Sequence, residues 1–167
     1  MCWACDHPDG TRLDYLNHLR GVIEDYGWAV QGVQRRGIRP PWAYTAGLTA
    51  HGKSEVAVTG LPLGRAAALL NDVAAHLMHA AVPAPGERVK LRRGPLIEFV
   101  RVAVPTAHLD IAVELFGTGV RALQVVHADD RGHWPWDRGY RGYRGIRGGQ
   151  PVLGPRARVP ASGSQIR

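Results

Sequence analysis

The sequence contains few of the features that mark several common classes of protein. Its 167 residues include two cysteines, too few for the disulfide framework of a small secreted scaffold. No apolar run approaches the roughly 20 residues that a membrane-spanning helix needs. The first ten residues lack the basic and then apolar pattern of a secretory signal. These absences predict a cytoplasmic protein that does not bind a membrane.

Familiar catalytic motifs are missing as well. The sequence has no G-x-S-x-G, no phosphate-binding P-loop, no G-x-G-x-x-G and no H-E-x-x-H. A serine-hydrolase nucleophile, a nucleotide-phosphate loop and a zincin metal helix therefore have no support from sequence.

Acidic residues become scarce after residue 130. Residues 1–130 hold 13 basic and 13 acidic side chains, whereas residues 131–167 hold eight arginines and Asp137 as their one acid. The C-terminal segment thus accounts for the whole formal net charge of +7. Any attraction to a polyanion is expected to come from this segment.

The length and the apolar content of 45% are those of one soluble globular domain. We expect the domain to span residues 11–154, after an N-terminal segment of residues 1–10 that contains cysteine and histidine. Residues 134–149 form an Arg/Gly/Tyr-rich loop within the domain. Residues 155–167 are predicted to be a disordered tail.

Two β-rich runs joined by a short polar loop occupy residues 40–61 and organise the fold. Trp42, Tyr44 and Ala46 alternate with smaller residues, which predicts a strand with one face in the core. Further strands are predicted at residues 28–34, 88–91, 96–104 and 121–127.

Three helices are predicted around these strands. The first covers residues 11–26, with Thr11 as its cap, Gly27 as its stop and a buried stripe that ends at Tyr26. The second covers residues 63–81. The third covers residues 107–116 and is capped by Thr106. Because most connections between strands are short, we expect an α+β fold with a mainly antiparallel sheet of about six strands and about three helices packed on it.

The sharpest local pattern is Cys2-x2-Cys5-x-His7. Thiolate and imidazole are ligands of Zn²⁺, and C-x2-C is a common spacing in metal sites, so these three residues are candidate ligands for Zn or Fe. The fourth ligand would be water or one of four side chains: Asp6, His18, His51 or His127. The other interpretations are a reactive thiol and cysteines that pack as small apolar residues.

Three residues at strand ends are candidates for catalysis. Tyr44 and His51 lie in the central strand pair, and His127 ends the last strong strand. A phenol and imidazoles can hold a ligand or move protons. The alternative is a satisfied core tyrosine and histidines without a chemical role.

The C-terminal segment interleaves arginine with aromatic residues. Arginines can neutralise phosphates, and tryptophan or tyrosine can stack on bases, as in binders of single-stranded nucleic acid. The candidate residues are Trp134, Trp136, Arg138, Tyr140, Arg141, Tyr143, Arg144 and Arg147. The alternative is a loop expansion with solvated charges.

Seven short motifs occur in the order found in one bacterial family. They are GW at 27–28, PPWAYTAGL at 40–48, EVAVTGL at 55–61, LLND at 69–72, LQVV at 123–126, WPWDRGY at 134–140 and QPVLG at 150–154. The chain resembles the uncharacterised bacterial family called domain of unknown function 4262, which is common in actinobacteria. It departs from that family at His127, where the family often has tryptophan, and in the longer RGYRGYRGIRGG segment. The resemblance implies no activity, cofactor or catalytic residue.

Two functions from different classes remain. One is a metal-binding module or a small-molecule enzyme that uses Cys2, Cys5 and His7. The other is a non-catalytic protein that binds a protein partner or single-stranded nucleic acid through the C-terminal segment.

Overall fold

The computed structural model describes residues 3–34 and 37–158. Its helices are α1 (Trp3–Asp6), α2 (Arg12–Tyr26), α3 (Leu63–Met78) and α4 (Asp110–Phe116). Its strands are β1 (Ala29–Val33), β2 (Trp42–Ala46), β3 (Glu55–Thr59), β4 (Arg88–Lys90), β5 (Leu96–Arg101) and β6 (Ala122–His127). Short 3-10 turns lie at Leu48–His51 and Pro105–Ala107. None of the helices in these described ranges is long and apolar enough to cross a membrane.

The six strands form one mixed sheet in the order β1-β2-β3-β6-β5-β4. All neighbouring strands are antiparallel except β3 and β6, which are parallel. The last strand in sequence therefore occupies a central position. The predicted α+β class and the strand count are confirmed, and the sheet is mostly rather than wholly antiparallel.

Helix α2 begins and ends where its local sequence specifies. The Thr11 hydroxyl accepts a hydrogen bond from the Asp14 backbone N–H, and the Asp14 carboxylate accepts one from the Thr11 N–H at 2.9 Å. This capping box satisfies donors that the first helical turn leaves unpaired. Gly27 ends the helix with φ of 91°, in the left-handed region that glycine adopts at low cost.

The third predicted helix starts later than expected. Pro105–Ala107 is a 3-10 turn, and α4 begins only at Asp110, so Thr106 is not its cap. A tertiary contact accounts for the difference. The Trp42 indole N–H donates to the His108 carbonyl at 3.0 Å, which holds the chain outside helical geometry between the two elements.

Strand β2 is buried on both faces, whereas its alternation predicted one buried face. Ala43 lies in the cluster that α3 covers, and Tyr44 lies in the cluster that α2 and α4 cover. The two layers come from distant parts of the chain. Period-2 alternation therefore identified the strand and underestimated its burial.

A buried carboxylate fixes the turn between β2 and β3. The Glu55 side chain is fully buried and accepts hydrogen bonds from the Gly47, Leu48 and Thr49 backbone N–H groups. It also accepts bonds from the Thr45 and Thr49 hydroxyls at 2.6 and 2.7 Å. Five donors converge on one carboxylate and stabilise its charge, and no described cation forms an ion pair with it.

The C-terminal segment packs on the second face of the sheet over β5 and β6. Trp134 is buried there and stacks on Trp136, with ring centroids 5.4 Å apart. Arg88 lies over the Trp134 ring and Arg156 over the Trp136 ring, at 4.6 and 3.6 Å from the centroids. Both guanidinium groups bind the fully buried Glu98 carboxylate. Residue 156, placed by the sequence in the tail, thus contacts the core, and residues 159–167 lie outside the described ranges.

Candidate ligand-binding cleft

An open cleft of about 550 Å³ lies between α2 and the edge strand β1. Helix α2 lines it with positions 15, 18, 19, 22 and 26, which fall along one helical stripe. Strand β1 pairs with β2 on one side, and its other edge borders the cleft. Helix α1 adds Trp3 and helix α3 adds Asn71. The volume suits a drug-sized organic ligand.

Four large aromatic side chains line this cleft, which we call the aromatic cleft: Trp3, Tyr15, Tyr26 and Trp28. The Trp3 and Tyr15 ring centroids are 5.2 Å apart. Tyr26 is 73% exposed, so the sequence prediction that it is buried is wrong. It belongs to the cleft wall instead of the core. Flat faces of this kind bind planar ligands by stacking.

Two side-chain amides supply the polar groups of the aromatic cleft. The Trp28 indole N–H donates to Asn71 Oδ1 at 3.0 Å, which fixes the Trp28 ring. The Tyr15 hydroxyl donates to Gln31 Oε1, and Gln31 is itself buried. Within the described ranges the Asn71 Nδ2 group makes no hydrogen bond. It is therefore available to donate to a ligand carbonyl or ring nitrogen.

The described lining of the aromatic cleft contains no Asp, Glu, Lys or Arg. His18 is the one imidazole in that described lining. A fully charged ligand would lose hydration on entering without gaining an ion pair. The lining therefore favours an uncharged, planar molecule with a hydrogen-bond acceptor.

A second pocket of about 580 Å³ lies beside the start of α4 and contains Arg39, Trp42, His108 and Asp110. The buried Tyr44 hydroxyl donates to Asp110 Oδ1 at 2.6 Å and accepts from the Ile111 N–H at 3.1 Å. Burial raises the pKa of Tyr44, and its bond to Asp110 raises it further. Tyr44 is consequently a hydrogen-bond donor that orients Asp110, and its phenolate is not accessible near neutral pH.

The three residues predicted to be catalytic lie in three separate places. Tyr44 lies under α4, and His51 is exposed in the 3-10 turn before β3. His127 is at the end of β6, on the face that α3 covers, and β6 runs parallel to β3. His51 and His127 are therefore at opposite ends of the sheet. The structure does not assemble these residues into one site.

The sequence matches one known protein family. The family model described as a domain of unknown function (DUF4262) matches residues 22–141. The chain belongs to the DUF4262 family. No curated protein and no solved structure gives a significant match.

The DUF4262 match covers only part of the aromatic cleft. Trp28 and Asn71 fall inside it, whereas Trp3, Tyr15 and His18 precede it. The match also ends before Arg156, which binds Glu98. Residues before the matched region therefore contribute to the aromatic cleft of this DUF4262 protein, and a residue after it contributes to the Glu98 ion pairs.

The predicted metal ligands are described only in part. Cys2 lies outside the described residues, Cys5 is exposed, and the His7 ring stacks on Trp3 at 4.6 Å between centroids. His18, one of the possible fourth ligands, is 6.4 Å from the same Trp3 ring. Residues 3–34 and 37–158 contain no group of three or more His, Cys, Asp or Glu side chains that would hold a metal. The Zn or Fe site stays a prediction.

The structure separates the aromatic and arginine residues proposed for nucleic-acid binding. The aromatic rings are engaged by the protein itself: Trp134 and Trp136 stack on each other, Tyr143 lies under Arg65, and the Tyr140 hydroxyl accepts from Gln150. The four arginines of the set are exposed: Arg138, Arg141, Arg144 and Arg147.

Sequence reasoning missed the aromatic cleft and the two buried glutamates. The sequence signal for the cleft is a pair of aromatic residues, Tyr26 and Trp28, on either side of Gly27, which ends the helix. The sequence pattern indicates secondary structure for both residues and ligand binding for neither. For Glu55, a charged residue at the start of a fully buried strand was the signal.

His127 makes the fold sensitive to acid. The residue is about 95% buried, and its Nε2 finds no hydrogen-bond partner among the described residues. Burial lowers the pKa of His127, so the unfolded chain binds this proton more tightly than the folded one. The sign follows from linkage: stability is complete above the unfolded pKa of about 6.5 and falls as the pH drops through it, by up to about 1.4 kcal/mol per pH unit.

We expect His127→Phe to remove this part of the pH dependence. The measurement is the free energy of unfolding in urea at pH 7.5, 6.5 and 5.5. His76→Gln on the exposed face of α3 is the control and should keep the wild-type slope. Equal slopes for His127→Phe and wild type would show that His127 does not couple protonation to folding.

Proposed function

We propose that this protein binds an uncharged, planar organic molecule in the aromatic cleft. The observation that carries the proposal is the combination of four aromatic faces with two side-chain amides and no carboxylate, ammonium or guanidinium in the described lining. Stacking would hold the plane of the ligand, and Asn71 Nδ2 would fix its orientation by donating to an acceptor. This is binding chemistry, since the described lining offers no acid–base pair for catalysis.

Fewer structural observations support the other functions that the sequence predicts. The metal-binding module or enzyme based on Cys2, Cys5 and His7 depends on a residue outside the described ranges. A catalytic use of Tyr44, His51 and His127 lacks a common site. The aromatic cleft combines volume, apolar faces and an available donor in one place, so it is the better supported site.

Three probes that share one ring system test the charge preference. They are neutral 2-quinolone, anionic quinoline-2-carboxylate and cationic N-methylquinolinium. We expect 2-quinolone to bind most tightly by titration calorimetry and to shift the Trp28 indole N–H resonance in NMR spectra. The proposal is wrong if the cation binds more tightly than the neutral probe, or if 2-quinolone leaves the Trp28 resonance unchanged at millimolar concentration.

Removal of one wall should weaken this binding measurably. Tyr26→Ala deletes an exposed ring and should reduce 2-quinolone affinity about fivefold or more, since stacking on an aromatic side chain contributes about 1–3 kcal/mol. Leu13→Ala is the matched control, because Leu13 is on the same helix, is 61% exposed and does not line the cleft. An equal loss in both variants would assign the effect to α2 stability instead of ligand contact.

A further inference from the structure

Two segments that carry arginines pack beside the arginine-rich C-terminal loop. Gly148 presses against the turn that contains Arg39, because a Cβ on Gly148 would lie 2.9 Å from the Ile38 carbonyl oxygen and 3.1 Å from Pro40 Cδ. Arg65, in the first turns of α3, lies over the Tyr143 ring at 5.6 Å. The loop that carries Arg141, Arg144 and Arg147 is thus bordered by the turn that contains Arg39 and by the α3 side chain of Arg65. We call these five residues the arginine face.

The guanidinium groups of the arginine face are available to a partner. All five residues are exposed, and none forms an ion pair with another described residue. Two carboxylates of the loop region accept backbone N–H bonds: Asp129 from residues 131, 133 and 141, and Asp137 from residue 134. Positive charge therefore accumulates on these residues without an ion pair to any described carboxylate.

The chemistry of the arginine face fits phosphate. Residues 131–167 contain eight arginines and no lysine. A guanidinium presents a planar fork of donors that matches phosphate oxygens in a bidentate way, whereas an ammonium acts as a point charge. A surface composed of arginines alone is suited to repeated phosphate groups.

The state of the aromatic rings decides between single-stranded and double-stranded nucleic acid. Binders of single strands offer free aromatic faces on which successive bases stack. Here Trp134 and Trp136 stack on each other beneath Arg88 and Arg156, and Arg65 covers Tyr143. With its rings engaged, the surface can contact the phosphate backbone and cannot offer a stacking platform.

We propose that the arginine face binds the phosphate backbone of double-stranded nucleic acid, independently of base sequence. This partner differs from the single strand that the sequence pattern predicts, and the site is separate from the aromatic cleft. Five arginines can each neutralise one phosphate. The logarithm of the binding constant should then fall with the logarithm of salt concentration with a slope of about −3 to −4.5.

The test uses fluorescence anisotropy with the full chain and a labelled 20-base-pair DNA duplex between 50 and 200 mM KCl. We expect the duplex to bind at least as tightly as 20-mer oligo-dT. Arg141→Gln/Arg144→Gln/Arg147→Gln should make the salt slope shallower by about 2 to 3. The matched control removes the same charge elsewhere, at the exposed Arg20, Arg101 and Arg121, and should keep most of the wild-type slope.

Three outcomes would overturn the proposal. Tighter binding of oligo-dT than of duplex would restore the stacking interpretation. Tighter binding to vesicles of phosphatidylglycerol and phosphatidylcholine than to the duplex would identify a membrane surface as the partner. Equal losses in the loop variant and in the matched control would mean that net charge, and not the arginine face, attracts the DNA.

Discussion

Glu55→Gln should destabilise the protein by about 2–4 kcal/mol although it preserves side-chain size. Both carboxylate oxygens of Glu55 face hydrogen-bond donors, and the substitution replaces one of these acceptors with an NH₂ group, which is itself a donor. One Glu55 oxygen faces the Thr45 hydroxyl and the Leu48 N–H, and the other faces the Gly47 and Thr49 N–H groups and the Thr49 hydroxyl. Either orientation of the amide places donor against donor. The free energy of unfolding in urea measures the loss.

The exposed Glu24 provides the control for Glu55. Glu24→Gln makes the same chemical change on the surface of α2 and should alter stability by less than about 0.5 kcal/mol. If the free energy of unfolding of Glu55→Gln lies within about 1 kcal/mol of the wild-type value, the carboxylate is not what holds the Gly47–Thr49 turn. Two-dimensional NMR would then show whether the turn has reorganised around the amide.

The second large effect concerns Glu98 and its two arginines. Arg88→Met/Arg156→Met removes both cations and leaves a fully buried carboxylate without an ionic partner, which should cost about 3–5 kcal/mol. Each single replacement should cost much less than half of this. Arg156 donates from Nε and Nη2, and Arg88 donates from Nε, so either one alone still neutralises the charge.

A triple variant separates charge from packing at this site. Arg88→Met/Glu98→Leu/Arg156→Met removes the carboxylate as well and should recover much of the stability lost in the double variant, since an apolar replacement of a buried ion pair is often neutral. Chemical denaturation of the four variants and the wild type gives the comparison. A triple variant as unstable as the double variant would show that guanidinium stacking on Trp134 and Trp136, not charge pairing, stabilises the segment.

Structure that depends on local hydrogen bonds could be predicted from the sequence, whereas structure that depends on contacts between distant residues could not. Thr11, Asp14 and Gly27 specify the limits of α2 because the capping bonds join residues three or four apart. The start of α4 was misjudged because the contact that displaces it joins Trp42 to His108. Sequence spacing gives no measure of such a bond.

The same distinction applies to the candidate sites. The aromatic cleft joins Trp3, Trp28 and Asn71, which come from three elements, so no single motif marks it. The arginine face likewise includes Arg39 and Arg65, whose positions beside the loop depend on the packing of Gly148 and Tyr143. The basic C-terminal segment itself was evident from a charge count.

The central position of β6 has a consequence for synthesis of the chain on the ribosome. Strands β1 to β3 and the hairpin of β4 and β5 have no direct pairing with each other, and β6 joins them. Two later residues then bind β6. The Gln150 side chain forms two hydrogen bonds with the His127 backbone, and the Leu153 N–H donates to the Gln124 side chain. The nascent chain must therefore hold two incomplete half-sheets, with exposed edges, until β6 and residues 150–153 have been synthesised. Until then, the half-sheets are the surfaces that chaperones would meet first.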